Sequence, residues 1–412
     1  MFQSSLIGTL KSGHLDDGYG LARSQIMIHK HEIETGRTSV VASHLLGYDE
    51  NMNPIMTTSP DSKIDSQVAT KASMLVTLVD LAGHEKYLKT TIHGISSGMM
   101  DYALLLVNSR QPPTHMTRHH IGLASACGIP TVIVLTKTDG CPDDVLKSTK
   151  EAISNMLRSS NFRKKPYQIK QPFDIAIVKD KLHAITPVIP ISCVTGEGLD
   201  LLNTLLCSLP KRRRHQQKLA RKFEYFVEDV FQLTGVGTVV SGFANAGRAM
   251  VGQKVFVGPV NGNFIATHIK SAHIARTHVS SVISGNNACL ALSLNKHERK
   301  MIRKGMVVLE RPVETSSVFE TEIFIIKGPG VDGTTIRKNY ETMVHILHMK
   351  QIARVENVEI LEDTNGYSTG GDDSGGGPVV RPGCKARITF RFLKRKVRTL
   401  MRFLTLGYCI EY

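Results

Sequence analysis

Three residues that follow an apolar run, Asp80, Gly83 and His84, have the types and spacing needed to handle phosphate groups and a metal ion. The run is MLVTLVD (74–80), and the chain continues LAGHEKYLKTT. An Asp at the end of a buried strand can hold a water on Mg²⁺, and a Gly lets a backbone N–H approach a terminal phosphate. A histidine beside them can orient an attacking water. The pattern therefore predicts a phosphoryl-transfer switch, although D-x-x-G alone occurs widely.

Two further stretches at the ends of apolar runs suit a guanine base. They are TKTD, which ends in Asp139, and SCVTGEG, which begins at Ser192. The Asp139 carboxylate can accept hydrogen bonds from N1–H and the exocyclic amine of guanine, whereas adenine presents a different edge. The stem of Lys137 can lie along the purine ring, and backbone N–H groups near Ser192 and Cys193 can meet the guanine oxygen. Three motifs in this order predict a guanine-nucleotide site; three unrelated turns are the alternative.

The elements that must position these motifs are parallel strands and their covering helices. Up to about residue 209, helical patterns alternate with four short apolar runs, at 74–80, 102–108, 131–137 and 188–192. Continuous apolarity suits parallel strands covered on both faces. Helix RHHIGLASACG is expected to stop at Gly128. The alternation predicts a doubly wound α/β sheet, whose ligands lie at the carboxyl ends of its strands.

Beyond residue 209 the composition changes. A linker at 210–224 holds seven basic residues in the twelve-residue stretch KRRRHQQKLARK, and it is either a solvated helix or an RNA contact. Glycine-punctuated strands then predict one β-barrel over 225–312 and another over 317–394. The loop 364–383 is glycine-rich and polar, so we expect it to be disordered.

The bulk composition narrows the class of protein. The 412 residues carry a formal charge of +15 with a pI near 9.5, which favours a polyanionic partner over an inert basic surface. The seven cysteines form no C-x-x-C pair, so a disulfide framework or a zinc site is not expected. Neither a membrane-length apolar run nor a signal peptide is evident, which makes the cytosol the expected compartment.

With these motifs the chain resembles the translational GTPases related to elongation factor Tu, within them the GTP-binding protein 1 and 2 branch. The stretches that carry the resemblance are HKHEIETGRTSVVASHLLGYD (29–49), DLAGHEKYLKTT (80–91), TGVGTVVSG (234–242), IRKGMVVL (302–309) and FETEIFII (319–326). The resemblance implies an α/β G domain of the P-loop type over residues 1–209 followed by two β-barrels. It also implies GTP and Mg²⁺ as ligands, GTP hydrolysis coupled to the ribosome, aminoacyl-tRNA binding, and a monomer away from membranes.

The resemblance assigns roles position by position. Ser4 aligns with the Mg²⁺-binding hydroxyl and Thr38 with the switch threonine that responds to Mg²⁺ and the γ-phosphate. Asp80 aligns with the metal-water aspartate. The remaining matches are Gly83 for the γ-phosphate glycine, His84 for the water-orienting histidine, Thr136, Lys137 and Asp139 for the base-reading motif, and Ser192 and Cys193 for the last loop. The stretch QPPTHMTRHH (111–120) departs from the family text.

One expected motif is missing. The phosphate-binding loop G-x-x-x-x-G-K-[ST] does not occur in the 412 residues, and Gln3 stands where the resemblance places its lysine. We therefore expect an incomplete G domain that lacks this loop and its strand. The alternative function is a non-hydrolysing RNA- or ribosome-binding remnant. Residues 395–412 do not align with the family, and they are either a basic RNA-binding tail or the product of a faulty gene model.

Overall fold

The computed structural model describes residues 2–27, 32, 38, 41–57, 64–96, 100–159, 162–212, 215–324, 335–346, 349–363, 378–381, 384–393, 399–400 and 407–409. The chain divides into two compact units. One comprises residues 1–95 and 100–213, and the other comprises residues 96–99 and 214–412. Among the described residues, no helix combines the length and the apolarity that crossing a lipid bilayer requires.

A four-stranded parallel sheet forms the centre of the first unit. Its strands are β4 (Ala103–Asn108), β5 (Thr131–Thr136), β6 (Lys165–Gln168) and β7 (Ile185–Pro190), in the order β4-β5-β7-β6. Every residue of β5 is buried, as the apolar run 132–135 at its centre predicts. The predicted α/β architecture is confirmed for three of the four apolar runs, whereas the run 74–80 lies in a separate antiparallel sheet and not in this one. The fourth apolar run begins three residues earlier than its sequence suggested, at Ile185.

The described helices of the first unit are α1 (Phe2–Ser12), α2 (Leu21–Ser24), α3 (Ile64–Lys71), α4 (Leu88–Ser96), α5 (His115–Ala126), α6 (Asp143–Arg158), α7 (Pro172–Val178) and α8 (Leu199–Ser208). Of these, α5, α6 and α7 connect the strands of the parallel sheet. The Thr114 side chain caps α5 by accepting the N–H of Thr117. Gly128 follows α5 with a φ of 63°, the left-handed conformation of a helix stop, as the sequence predicted.

A second, antiparallel sheet carries the Asp80 motif. It consists of β1 (Ala42–Tyr48), β2 (Pro54–Ile55) and β3 (Met74–Asp80), in the order β2-β1-β3. Within the described part of the chain, β3 forms no ladder with β4. The two sheets nevertheless share one apolar core, to which α1, β1, β5 and α8 contribute Leu6, Leu10, Leu46, Tyr48, Val132, Val134, Leu202 and Leu205.

A closed six-stranded antiparallel barrel begins the second unit. It contains β8 (Glu224–Leu233), β9 (Gly237–Ala246), β11 (Lys254–Val260), β12 (Asn263–Ile274), β15 (Asn287–Leu292) and β16 (Val307–Leu309). The order is β11-β16-β8-β9-β15-β12, and pairing of β11 with β12 closes it. The first of the two β-barrels predicted from the sequence is therefore confirmed, with its strands between residues 224 and 309. Smaller elements accompany it: α9 (His215–Lys218), β10 (Arg248–Met250), β13 (Thr277–Val279), β14 (Ser281–Ile283) and α10 (Lys296–Arg299).

The remaining strands form a separate five-stranded sheet in the order β18-β21-β20-β19-β23. Their bounds are β18 (Val318–Phe324), β19 (Glu341–Ile346), β20 (Met349–Asp363), β21 (Cys384–Phe392) and β23 (Gly407–Cys409), and a small pair joins β17 (Thr315–Ser316) to β22 (Thr399–Leu400). In the described segments no ladder joins β18 to β23, so this sheet is not closed as the predicted second barrel would be. Most of the loop 364–383 lies outside the described residues. Two short stretches of the unaligned tail form strands: β22 pairs with β17, and β23 pairs with β19.

A bulge between β8 and β9 sets a strict limit on one barrel position. The pairing register shifts between Val227 and Asp229, opposite Gly242. A Cβ at Gly242 would lie 1.9 Å from the carbonyl oxygen of Phe226. No backbone rotation of Gly242 alone relieves such a clash, because both strands are held by their ladders.

We expect Gly242→Ala to lower the free energy of unfolding by about 1–3 kcal/mol or more through this overpacking. Urea unfolding followed by circular dichroism measures the change. Gly122→Ala is the matched control, because a Cβ there would lie 3.9 Å from Phe162 in ordinary contact within a helix. A Gly242→Ala protein as stable as the Gly122→Ala protein would contradict the prediction.

Candidate nucleotide site

The buried Asp80 carboxylate lies at the centre of three converging chain segments. Ser4 of α1 donates its hydroxyl to Asp80 Oδ2 at 2.8 Å, and Thr38 donates to the same oxygen at 3.2 Å. The two hydroxyl oxygens are 3.1 Å apart. The structure therefore brings together all three residues that the resemblance assigned to the metal.

The electrostatics of this cluster suit a hard cation. Burial raises the pKa of Asp80, while the hydrogen bonds from Ser4 and Thr38 oppose that shift. Two hydroxyls and a carboxylate are oxygen donors of the kind that Mg²⁺ prefers. The donor set thus fits Mg²⁺, which would also supply the positive charge that a buried carboxylate otherwise lacks.

Gln3 completes the surroundings of Asp80. With its amide nitrogen turned towards the neighbouring acceptors, Gln3 donates to Leu81 O at 2.6 Å and to Asp80 Oδ1 at 3.2 Å. A Cβ at Gly83 would lie 3.7 Å from the same amide and closer to no other residue. Packing within the chain therefore does not require glycine at position 83, and its small size leaves space beside Asp80.

His84 lies just outside this cluster and is exposed. Its Nδ1 accepts the N–H of Lys86 at 3.2 Å, and its ring meets Tyr87 edge-on with centroids 6.4 Å apart. Since Nδ1 is an acceptor, the neutral ring carries its proton on Nε2. His84 is therefore arranged to donate a hydrogen bond from Nε2.

The base-reading residues form a second cluster. Ser192 donates its hydroxyl to Asp139 Oδ1 at 2.5 Å and accepts the N–H groups of Val194 and Thr195, each at 3.1 Å. This network fixes the carboxylate against the loop after β7. The Ser192 N–H is bound to Glu197 O at 2.9 Å, so it does not serve the guanine oxygen as the sequence suggested.

The other residues predicted to bind the base, Thr136, Lys137 and Cys193, differ in burial and in hydrogen bonding. Thr136 is buried and donates to Val107 O at 3.2 Å, so its hydroxyl joins β5 to β4. Lys137 is exposed, with a left-handed φ of 61°. Burial raises the pKa of Cys193 to about 11, which leaves a neutral thiol beside the loop.

Helix α1 connects the two clusters. It presents Ser4 to Asp80 at its beginning, and the N–H of Asp16, shortly after its end, donates to Cys193 O at 2.8 Å. One short segment thus contacts both the metal-type cluster and the base-reading loop.

Two residues contribute to the site in ways that the sequence did not indicate. Gln3 stood out only as the residue in place of an expected lysine, and no motif included Arg110. The Arg110 guanidinium donates to Asp139 O and lies 3.6 Å from Asp139 Oδ2. The available signal was position, because Arg110 follows the carboxyl end of β4, where ligands of parallel sheets bind.

The basic linker is partly explained by packing. Arg212 donates to Asp101 O at 3.0 Å and to Gly128 O at 2.9 Å, so its side chain holds the linker against the loops at the amino-terminal ends of β4 and β5. This position is therefore structural rather than a free RNA contact.

The chain combines a D-x-x-G motif after β3, a T-K-x-D motif after strand β5 of the parallel sheet, and a closed antiparallel barrel. These features define the class of G-domain proteins with an appended barrel. Residues 6–211 match the sequence family described as "Elongation factor Tu GTP binding domain". The chain belongs to this family of translational GTPases.

Relatives in the family cover nearly the whole chain. It is 35% identical over 401 residues to GTP-binding protein 1 of Xenopus laevis and 32% identical over 401 residues to GTP-binding protein 2 of Mus musculus. Each alignment spans 95% of this chain but only 57% and 63% of those proteins, so the chain spans about three fifths of their length.

Solved structures share the fold. The bacterial selenocysteine-specific elongation factor EF-Sec aligns with 99% of this chain and 52% of its own, with a TM-score of 0.62 and 17% identity. Translation elongation factor SelB of Methanococcus maripaludis, solved with the GTP analogue GppNHp, aligns with 82% of this chain and 71% of its own, with a TM-score of 0.56 and 18% identity.

The Asp80 cluster predicts a pH-dependent stability. Because burial raises the Asp80 pKa, the folded protein binds this proton more tightly than the unfolded chain does, so stability falls as pH rises from the ordinary value of 3.8 through the raised pKa. We expect Asp80→Asn to stabilise the protein in urea unfolding near neutral pH and to have little effect in acid. Asp180→Asn, on the surface, is the control.

Magnesium provides the second readout for the same variant. Mg²⁺ at millimolar concentration should raise the thermal midpoint of the parent protein but not that of Asp80→Asn, since the cation offsets the buried charge. An equal Mg²⁺ response in both proteins would remove Asp80 from the cation site.

Proposed function

We propose that this protein is a GTP-binding, GTP-hydrolysing translation factor of the elongation factor Tu type, which acts with aminoacyl-tRNA and the ribosome as a cytoplasmic monomer. The observation that carries the proposal is the convergence of the Ser4 and Thr38 hydroxyls on the buried carboxylate of Asp80. Residues separated by up to 76 positions meet there in the arrangement that a nucleotide-linked Mg²⁺ requires.

Each cluster has a distinct task in this proposal. Asp139, held by Ser192, accepts the two donors of a guanine edge, and Lys137 covers the ring. The hydroxyls of Ser4 and Thr38 and the Asp80 carboxylate would hold Mg²⁺, which would neutralise phosphate charge. Thr38 takes part through the hydrogen bond that its hydroxyl donates to Asp80 Oδ2.

His84 positions a water rather than removing its proton. Its Nδ1 is engaged by the Lys86 N–H, so Nε2–H is the group available to solvent. A donor at this place orients the lone pairs of a water towards the reaction without itself acting as a base.

The residues of this chain fit the phosphates less well than the base and the metal. The motif G-x-x-x-x-G-K-[ST], whose N–H groups and lysine would pair with the phosphate oxygens, is not in the sequence, and a neutral Gln3 lies beside Asp80. Unpaired phosphate charges each cost on the order of several kcal/mol when they leave water. The 412-residue polypeptide therefore binds GTP weakly in this proposal.

The second candidate function is a non-hydrolysing RNA- or ribosome-binding protein. The favouring observation is the formal charge of +15, which suits a polyanionic partner. Ribosome binding that is indifferent to nucleotide would support this candidate, whereas binding that depends on GTP would support the GTPase.

Titration of a fluorescent GTP derivative tests the phosphate argument. We expect the dissociation constant of the 412-residue polypeptide to be weaker than micromolar, because the phosphates lack their lysine and N–H partners. A weak interaction that is lost in Asp139→Asn would still identify the base site. Micromolar or tighter binding by the parent polypeptide would refute the expectation.

Replacement of His84 tests the hydrolytic role. At GTP concentrations high enough to offset weak binding, His84→Ala should slow ribosome-stimulated hydrolysis by about 100-fold, since the water loses its orienting donor. Nucleotide affinity should not change, because the described contacts of His84 are with Lys86 and Tyr87 rather than with the base-reading residues. Tyr87→Leu, which removes only the ring neighbour, is the control; equal rates in parent and His84→Ala exclude a mechanistic role for His84.

A further inference from the structure

The guanidinium of Arg110 lies against the carboxylate that reads the base. Its Nη2 donates to the carbonyl oxygen of Asp139 and is 3.6 Å from Oδ2 of the same residue. The Arg110 side chain is 46% exposed and that of Asp139 is 25% exposed. The pair therefore lies at the rim of the site, where a purine would approach the carboxylate.

The turn that carries Arg110 is fixed to the base-reading loop. The N–H of Ser109 donates to Thr136 O at 2.9 Å, and the Ser109 hydroxyl donates to Lys137 O at 2.7 Å. The Arg110 N–H is bound to Asn108 Oδ1 at 3.1 Å. These contacts hold the backbone of Arg110 in place, so its guanidinium reaches Asp139 from an anchored position.

We propose that Arg110 is a specificity-determining residue that weakens the preference of this site for guanine over xanthine nucleotides. The inference rests on the proposed function, because it assigns base selectivity within that same site. Guanine presents an amine at C2, which donates to a carboxylate, whereas xanthine presents a carbonyl oxygen there.

Hydrogen-bond donors and acceptors at C2 of the base set the preference. Asp139 alone accepts the guanine amine and repels the xanthine carbonyl, since two acceptors would face each other. The Arg110 guanidinium is a cationic donor beside Oδ2, and it can donate a hydrogen bond to the xanthine oxygen. It also competes with guanine for the lone pairs of the Asp139 carboxylate. Both effects narrow the difference in affinity between the two bases.

The exposure of the pair sets the size of the effect. Solvent screens a charge pair at this rim, so Arg110 should change the ratio of guanine to xanthine affinity by about two- to fivefold. If Arg110 only stabilised the loop, its removal would change both affinities by the same factor and leave their ratio unchanged.

The test measures GDP and xanthosine diphosphate binding by ligand-observed saturation-transfer NMR, which detects weak complexes. The parent polypeptide is compared with Arg110→Ala and with Arg118→Ala, which removes an equal charge from the exposed face of α5. We expect Arg110→Ala to raise the ratio of guanine to xanthine affinity by about two- to fivefold, while Arg118→Ala leaves it at the parent value. Circular dichroism confirms that each variant is folded.

The outcomes separate this inference from the proposed function. If GDP binds but the ratio is the same in parent and Arg110→Ala, only the role of Arg110 is overturned. If neither nucleotide binds any of the proteins, the proposed function fails and the role of Arg110 fails with it. Should Arg110→Ala lose its fold, Arg110→Gln retains a donor for the Asp139 carbonyl without the charge, and an unchanged ratio in that variant also overturns the inference.

Discussion

A buried carboxylate is the constraint on which the first unit depends. Asp80 lies in a low-dielectric interior, where an ionised group is costly unless charge or hydrogen bonds compensate it. Ser4 and Thr38 supply two hydroxyl hydrogen bonds to one oxygen, and Gln3 supplies an amide to the other. These donors come from α1 and from the segment before β1, so satisfying one carboxylate holds distant parts of the chain together.

The same arrangement explains why the site has two halves. At the first half, the Asp80 carboxylate and the hydroxyls beside it suit a cation. At the second half, the Asp139 carboxylate, which is hydrogen-bonded to Ser192, suits a base that donates hydrogen bonds. Helix α1 and the loop after it contact both halves, through Ser4 and through the hydrogen bond from Asp16 to Cys193. A displacement of α1 at the metal half would therefore be transmitted along the chain to the base half.

The two units follow different physical rules. In the parallel sheet, the fully buried strand β5 requires helices on both faces, and polar groups collect where the strands end. In the barrel, closure of β11 on β12 leaves no free strand edge, and the bulge opposite Gly242 lets two backbones approach closely. The parallel sheet therefore places its functional side chains in loops, whereas the closed barrel forms a rigid body.

Local pattern was enough to predict much of this protein. The apolar runs of β3 and β5, the stop at Gly128, the strand-rich barrel and the motif residues Asp80 and Asp139 are properties of short stretches. Each depends on neighbours within a few positions, and hydrophobic period, turn chemistry and motif spacing report such neighbours directly.

Only the tertiary structure decided which side chains meet. The contacts of Ser4 with Asp80 and of Arg110 with Asp139 join residues 76 and 29 positions apart. The tertiary structure also showed that the Ser192 N–H and the Thr136 hydroxyl donate hydrogen bonds within the protein, and that Arg212 supports two loops. The reason is physical: a hydrogen bond depends on distance and direction in space, and packing of helices and sheets, rather than order along the chain, fixes both.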